Sequence, residues 1–169
     1  MKIYPNFYLK NIKEVTIEFL RENNIKGLIL DIDNTLIDFD KNIINGGKDW
    51  CDNLKKNGIK MCIVSNTNKV EKVKKVAGEL EIPYIYFAKK PFKKGFLQAK
   101  EILELPERNI ASIGDQIFTD VIGANRCNMI SILTKPIDKR DILATRIKRP
   151  IETLVVKNYL RKEGKKNVY

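Results

Sequence analysis

Gly27-Leu28-Ile29-Leu30 runs directly into Asp31-Ile32-Asp33-Asn34-Thr35. The unbroken apolar run is the pattern of a strand covered on both faces, as strands are in a parallel sheet. A strand that turns acidic at its C-terminal end delivers polar groups to the crevice where open α/β sheets bind ligands. Asp31 and Asp33 stand two residues apart, so an extended chain projects them to the same side. Two carboxylates held together repel until a cation or a shared proton relieves them. Mg²⁺, a hard ion that prefers oxygen ligands, meets that need. The same residues also suit an N-cap in an ordinary strand-to-helix turn, so the stretch by itself leaves both readings open.

Outward from this stretch, strand-like runs recur at residues 60–64, 84–87, 109–113 and 129–133. Between them lie amphipathic segments at 48–57, 69–80 and 92–105, and a short helix after Asp115. Before the first strand, residues 11–24 carry Ile12, Val15, Phe19 and Leu20 on one helical face, with Asn11 and Glu14 spaced as a capping box. Residues 36–45 form a short flap ahead of Gly46-Gly47, and residues 151–160 a terminal helix. Alternating strands and helices predict an α/β fold, a three-layer Rossmann-like parallel sheet with helices on both faces and right-handed crossovers. With 169 residues, no repeat and no linker, the chain reads as one domain, 1–169, ending in a basic segment at 136–169.

Polar equipment follows each strand: Asp31 and Asp33, then Ser65 and Asn66, then Lys89 and Lys90, then Asp115 with Thr119 and Asp120 behind it. Each has a bland explanation as a cap, a turn or a surface lysine. Four such groups in register at one edge of a sheet point to a site.

Composition narrows the chemistry. There is no histidine, which removes imidazole acid–base catalysis, Ser-His-Asp and Cys-His nucleophiles and His-ligated metals. Proton transfer is left to carboxylates, lysines and water. Cys51, Cys62 and Cys127 form no Cys-x-x-Cys pair, which argues against a zinc site or a disulfide framework. Gly46-Gly47-Lys48 is followed by Asp49 and is not a phosphate-binding P-loop. No apolar stretch approaches a membrane span and no signal peptide opens the chain, so a cytoplasmic protein is expected. The formal net charge is +11, of which residues 136–169 contribute +6, from ten Lys and Arg against four acids. Such an excess suits an anionic partner, although a charge run also serves simply as a solvated tail.

The ordered motifs Asp31-Ile32-Asp33-Asn34-Thr35-Leu36, Val64-Ser65-Asn66-Thr67, Lys90-Pro91 and Ile113-Gly114-Asp115-Gln116 with Thr119-Asp120 resemble those of the haloacid dehalogenase (HAD) superfamily of aspartyl-phosphate phosphatases. The resemblance implies Asp31 as nucleophile and Asp33 as general acid/base. It implies phosphate contacts from Thr35, Ser65, Asn66 and Lys90, with Lys89, Lys93 and Lys94 crowding the last of these. Mg²⁺ would be held by the Asp31 side chain, the Asp33 backbone carbonyl and Asp115, with Asp120 in support. Large lids in this superfamily enter between the first and second motifs or between the second and third. The gaps here hold only a flap and one helix, and one helix and one strand, so no cap domain is expected. An unlidded site does not envelop a small metabolite and is open to a phosphate on something large.

Within the superfamily the chain resembles the small lidless group related to phosphatidylglycerophosphate phosphatases, through Pro5-Asn6-Phe7-Tyr8-Leu9 and Thr145-Arg146-Ile147-Lys148-Arg149 as well as the core motifs. The resemblance implies an anionic phospholipid substrate, peripheral contact with the inner face of the membrane and no obligate protein partner. Tyr4, Phe7 and Tyr8 suit lipid contact and core packing equally. The stripe Ile151, Leu154, Val155, Tyr159 suits lipid contact or packing on the sheet. The basic surface also fits phosphatases of nucleic-acid ends or phosphoproteins, or a non-catalytic RNA- or ribosome-binding module. A receiver-type signalling domain fits poorly, because the run at residues 84–87 leads into Ala88-Lys89 and supplies no acceptor aspartate.

Overall fold

The computed structural model describes residues 2–138 and 143–162, with side chains of 143–149 excepted. Its strands are β1 (Phe7–Leu9), β2 (Gly27–Leu30), β3 (Lys60–Val64), β4 (Tyr84–Ile85), β5 (Ile110–Gly114) and β6 (Ile130–Thr134). Its helices are α1 (Ile17–Glu22), α2 (Gly47–Lys56), α3 (Val70–Leu80), α4 (Lys93–Leu103), α5 (Ile122–Arg126) and α6 (Leu143–Lys162). The strands form one sheet in the order β1-β6-β5-β2-β3-β4, every pair parallel. This is the α/β, three-layer arrangement expected, and no cap is inserted among the described residues.

Alternation along the central strands builds the two cores. Leu28, Leu30, Met61, Ile63, Ala111 and Ile113 enter one layer, beneath Leu20 of α1, Trp50 and Leu54 of α2 and Val73 and Leu80 of α3. Ile29, Cys62, Val64 and Ile110 enter the opposite layer, against Phe96, Ala99 and Leu103 of α4 and Ala124 of α5. Because both faces are covered, β2 is buried at all four positions. The three cysteines are free and buried, and burial pushes the Cys62 thiol up to about 12.

Several expectations are corrected. The leader at residues 5–9 supplies a sixth strand, β1, whose Phe7 stacks edge-on against Phe19 at 5.0 Å between ring centres. Tyr8 packs with Val155 and Val156 of α6 against the buried cluster Ile117, Val121 and Leu133, and Tyr4 lies beside Tyr159, so these aromatics belong to packing. The helix expected at 11–24 is split into a 3-10 turn, Ile12–Glu14, and α1. Thr16 stays extended and caps α1 by accepting the Phe19 N–H. No capping box forms at Asn11 and Glu14. Asn11 Oδ1 accepts from Lys13 N and Glu14 Oε2 from Lys10 N.

The strand at 84–87 stops at Ile85, because Phe87 takes a φ of +48° that no strand accommodates. The terminal helix runs through Pro150 from Leu143 instead of starting after it. Its inward face is Glu152, Val155, Val156, Tyr159 and Leu160, so of the expected stripe only Val155 and Tyr159 pack. Ile151 and Leu154 are exposed. Basic positions Lys139, Arg140, Lys165 and Lys166 lie outside the described residues, as do the side chains of Arg146, Lys148 and Arg149. No helix among the described residues is long and apolar enough to cross a membrane.

Candidate active site

The C-terminal ends of β2, β3 and β5 bring the acidic and basic groups together. Asp31 is the first residue past β2, and its N–H donates to Ile113 O of the neighbouring β5 at 2.9 Å. Asp115 follows β5, and Asp120 sits on a one-turn π-helix, Ile117–Val121, a form common at functional sites. All three carboxylates are buried, and one oxygen from each lies within 4.8 Å of the others.

Lys90 enters this cluster from the loop after β4. Its Nζ donates to Asp31 Oδ1 and Asp120 Oδ1, each at 2.6 Å, and its side chain is only 3% exposed. Of the four lysines crowding this loop, Lys90 alone is buried. Asn66 holds it there: Asn66 Oδ1 accepts from Lys90 N at 2.6 Å and Nδ2 donates to Lys90 O at 3.0 Å. Asn66, expected to contact phosphate, thus spends both side-chain groups on the lysine's backbone.

Burial pushes the Asp31 carboxyl up to about 8; the Lys90 ammonium opposes the rise, and the charges of Asp120 and Asp115 add to it. For Lys90, burial pulls the other way, but Asp120 and Asp31 more than offset it and hold the ammonium well above its ordinary value. One ammonium among three carboxylates gives this cluster of four side chains a net charge of −2 when all are ionised. Buried charge of that kind is tolerated only when paired. The donors are all oxygen, so the cluster fits a divalent, oxygen-seeking cation.

The remaining expected residues surround this centre. Ser65 is buried at the end of β3, its Oγ accepting from Thr67 N at 3.2 Å. Thr35 is buried with a hydroxyl that meets no hydrogen-bond partner among the described residues. Such a hydroxyl costs about 1–3 kcal/mol unless something satisfies it, which suits a ligand contact. Asp33 is not one of the three clustered aspartates. Both of its oxygens accept from Lys72 Nζ of α3, at 2.6 and 2.8 Å.

Three contributors are not among the expected site residues, and of these only Lys72 lies outside the motifs. Lys72 belongs to the polar face of α3, where no pattern distinguishes it; its one signal is a place in the first turn of the helix that follows Ser65-Asn66. Gly114 leaves room for Asp120, since a Cβ there would lie 2.2 Å from Asp120 Cγ. Asn34, at φ +59°, accepts Asp138 N on its side chain and Ile137 N on its carbonyl, tying the catalytic-edge turn to the chain beyond β6.

The chain is similar to known proteins. The family model described as "Mitochondrial PGP phosphatase" matches residues 1–138. The curated Bacillus subtilis (strain 168) protein named "Probable phosphatase YqeG" is 40% identical over 159 residues, covering 94% of this chain and 92% of that one. An uncharacterized protein from Listeria monocytogenes serotype 4b superposes with a TM-score of 0.55 at 19% identity, over 79% of this chain and 99% of that chain. The cobalt-bound deoxy-D-mannose-octulosonate 8-phosphate phosphatase of Haemophilus influenzae gives 0.53 at 14% identity, over 81% and 90%. The two structural likenesses speak for the fold.

Proposed function

The chain belongs to the mitochondrial PGP phosphatase family, a group of HAD phosphatases, and from that premise we propose that it is a Mg²⁺-dependent hydrolase of phosphatidylglycerophosphate. One observation carries the chemistry: Lys90 bridges Asp31 and Asp120 beside Asp115 at the open edge of the sheet.

In the proposed first step an Asp31 oxygen attacks phosphorus, the bond from phosphorus to the ester oxygen breaks, and the departing alkoxide takes a proton from Asp33. In the second, water attacks phosphorus, gives its proton to Asp33, and the bond from phosphorus to Asp31 breaks to release inorganic phosphate. Splitting one displacement into two lowers each barrier. Lys90 offsets negative charge between Asp31 and the phosphoryl group, while Ser65 and Thr35 offer hydroxyls to its oxygens. Mg²⁺, held by Asp31 and Asp115 with Asp120 beside them, would supply further charge compensation. With no lid among the described residues, the phosphate is met while the rest of the substrate stays outside, which supports a lipid at the cytoplasmic face of a membrane.

The test is phosphate release, with and without Mg²⁺, from a panel of phosphatidylglycerophosphate, nucleotides, phosphorylated oligonucleotide ends, sugar phosphates and phosphopeptides. The lipid should be the fastest of the panel. Faster hydrolysis of every soluble ester than of the lipid overturns the substrate and leaves the phosphatase.

A further inference from the structure

Five of the nine exposed large hydrophobic side chains among the described residues fall between positions 86 and 102: Tyr86, Phe87, Phe92, Leu97 and Ile102. All of them but Leu97 line a groove of about 1070 Å³ between the edge strand β4 and helix α4. Exposed apolar clusters of this kind mark interaction surfaces. This one begins on the loop that carries Lys90, the cation of the active site.

The loop is held rigidly, with alternate residues turned outward. Phe87 N donates to Thr67 O and Ala88 N to Ser65 O, both at 2.9 Å, and Asn66 clamps Lys90. Ala88 and Lys90 are buried, whereas Phe87 is 54% exposed and Lys89 is exposed too. Phe87 and Lys89 have φ of +48° and +53°, a left-handed backbone that disfavours any residue with a Cβ. The Lys89 ammonium sits 5.0 Å from the centre of the Phe87 ring. Lys93 and Lys94 extend the positive charge along the start of α4, and Phe92 between the two groups is 62% exposed. An aromatic side chain in a strained conformation, facing water, contributes nothing to the core that would explain it.

We propose that Tyr86, Phe87 and Phe92, with Lys89, Lys93 and Lys94, form the surface by which the enzyme docks on an anionic phospholipid bilayer, presenting the edge that holds Lys90 to the headgroups. This rests on the lipid reading of the active site. Aromatic rings with flanking lysines are the chemistry of an interfacial contact: the rings enter the headgroup boundary and the lysines pair with anionic lipid. A second copy packed on the same face would set these lysines against one another. A peptide added to the sheet would find a two-residue edge strand, too short for a ladder.

The experiment compares full-length protein with the double variant Phe87→Asn, Phe92→Ser. Asn tolerates the left-handed backbone at position 87, and Ser is a better N-cap than Phe for α4, so the variant keeps its fold. Vesicles of equal parts phosphatidylglycerol and phosphatidylcholine should bind the wild type more tightly than phosphatidylcholine alone, and salt should weaken binding. The variant should bind anionic vesicles about tenfold more weakly or worse and lose vesicle-borne phosphatidylglycerophosphate hydrolysis in proportion. Its hydrolysis of monomeric dihexanoyl phosphatidylglycerophosphate should match the wild type. Lys89→Gln with Lys94→Gln should weaken vesicle binding without removing the rings. Wild-type protein that ignores anionic vesicles, or variants that bind them normally, overturn the surface; a dimer dissolved by the variant with vesicle binding intact assigns the face to a second copy. Failure to hydrolyse the monomeric lipid, with vesicle binding still lost in the variant, sinks the substrate reading and supports the surface.

Discussion

Lys72 of α3 holds both carboxylate oxygens of Asp33, at 2.6 and 2.8 Å, apart from the cluster that contains Asp31. The proposed acid/base is thereby fixed in place by a residue outside every motif. Asp33→Asn should slow turnover by at least ~10²-fold, the lower range for a lost general acid. The loss should be larger for alkyl phosphates than for p-nitrophenyl phosphate, whose leaving group needs no proton. Lys72→Met should slow alkyl ester hydrolysis in the wild type yet cost nothing further in the Asp33→Asn background. Additive effects in that cycle would separate Lys72 from the chemistry.

Asp31→Asn should reduce phosphate release to background while the circular dichroism spectrum is unchanged. Its stability should also diverge from wild type with pH. The Asp31 carboxyl ordinarily titrates near 3.8 and is raised to about 8 when folded. The folded state therefore binds more protons than the unfolded chain between those values, and the wild type loses stability as pH rises through that window. Below about 4 both states are protonated and the contribution vanishes. In chelator, the melting temperature of Asp31→Asn should overtake that of wild type progressively from pH 5 to pH 8. A constant difference across that range would contradict the buried, strained carboxyl.

Asp115→Ala should raise the Mg²⁺ concentration for half-maximal activity by at least ~10-fold, since even outer-shell partners of metal ligands matter by ~10–100-fold. The rise in melting temperature on adding Mg²⁺ should shrink with it. An unchanged Mg²⁺ titration in both assays would remove Asp115 from the metal site.

Gly114→Ala places a methyl group 2.2 Å from Asp120 Cγ. Overpacking of this kind costs about 1–3 kcal/mol, and here the relief is displacement of Asp120 from Lys90. Activity should fall further than stability, measured by turnover and urea denaturation on the same preparation. Wild-type turnover in a folded Gly114→Ala protein would show that Asp120 needs no such close seat.

What was legible in the chain was whatever depends on local pattern. The doubly buried run at 27–30, the amphipathic faces of α2, α3 and α4, and the acids after β2 and β5 each announce themselves within a few residues. β1 did not, because three half-buried residues carry no strand periodicity. Lys72 and the Asn66 clamp were hidden for a different reason: their partners lie 39 and 24 residues away, and only the packing of α3 and the β4 loop brings them together. Ile151 and Leu154 were misplaced by one helical face, since spacing alone does not say which of two apolar stripes meets the sheet.

The pairing of β1 with β6 also sets the order in which the chain can mature. Asn6 and Ser131 exchange hydrogen bonds across 125 residues, and Phe7 has no strand partner until Ile132 exists. β2 and β3 can join while synthesis continues, and β5 can add to their open side, but the first strand made is the last to be seated. At about 5–20 residues per second, its Phe-Tyr-Leu run waits roughly 6–25 s on the ribosome with its backbone unpaired. That interval is when a nascent-chain chaperone has something apolar to hold, until β6 supplies the partner that seats β1.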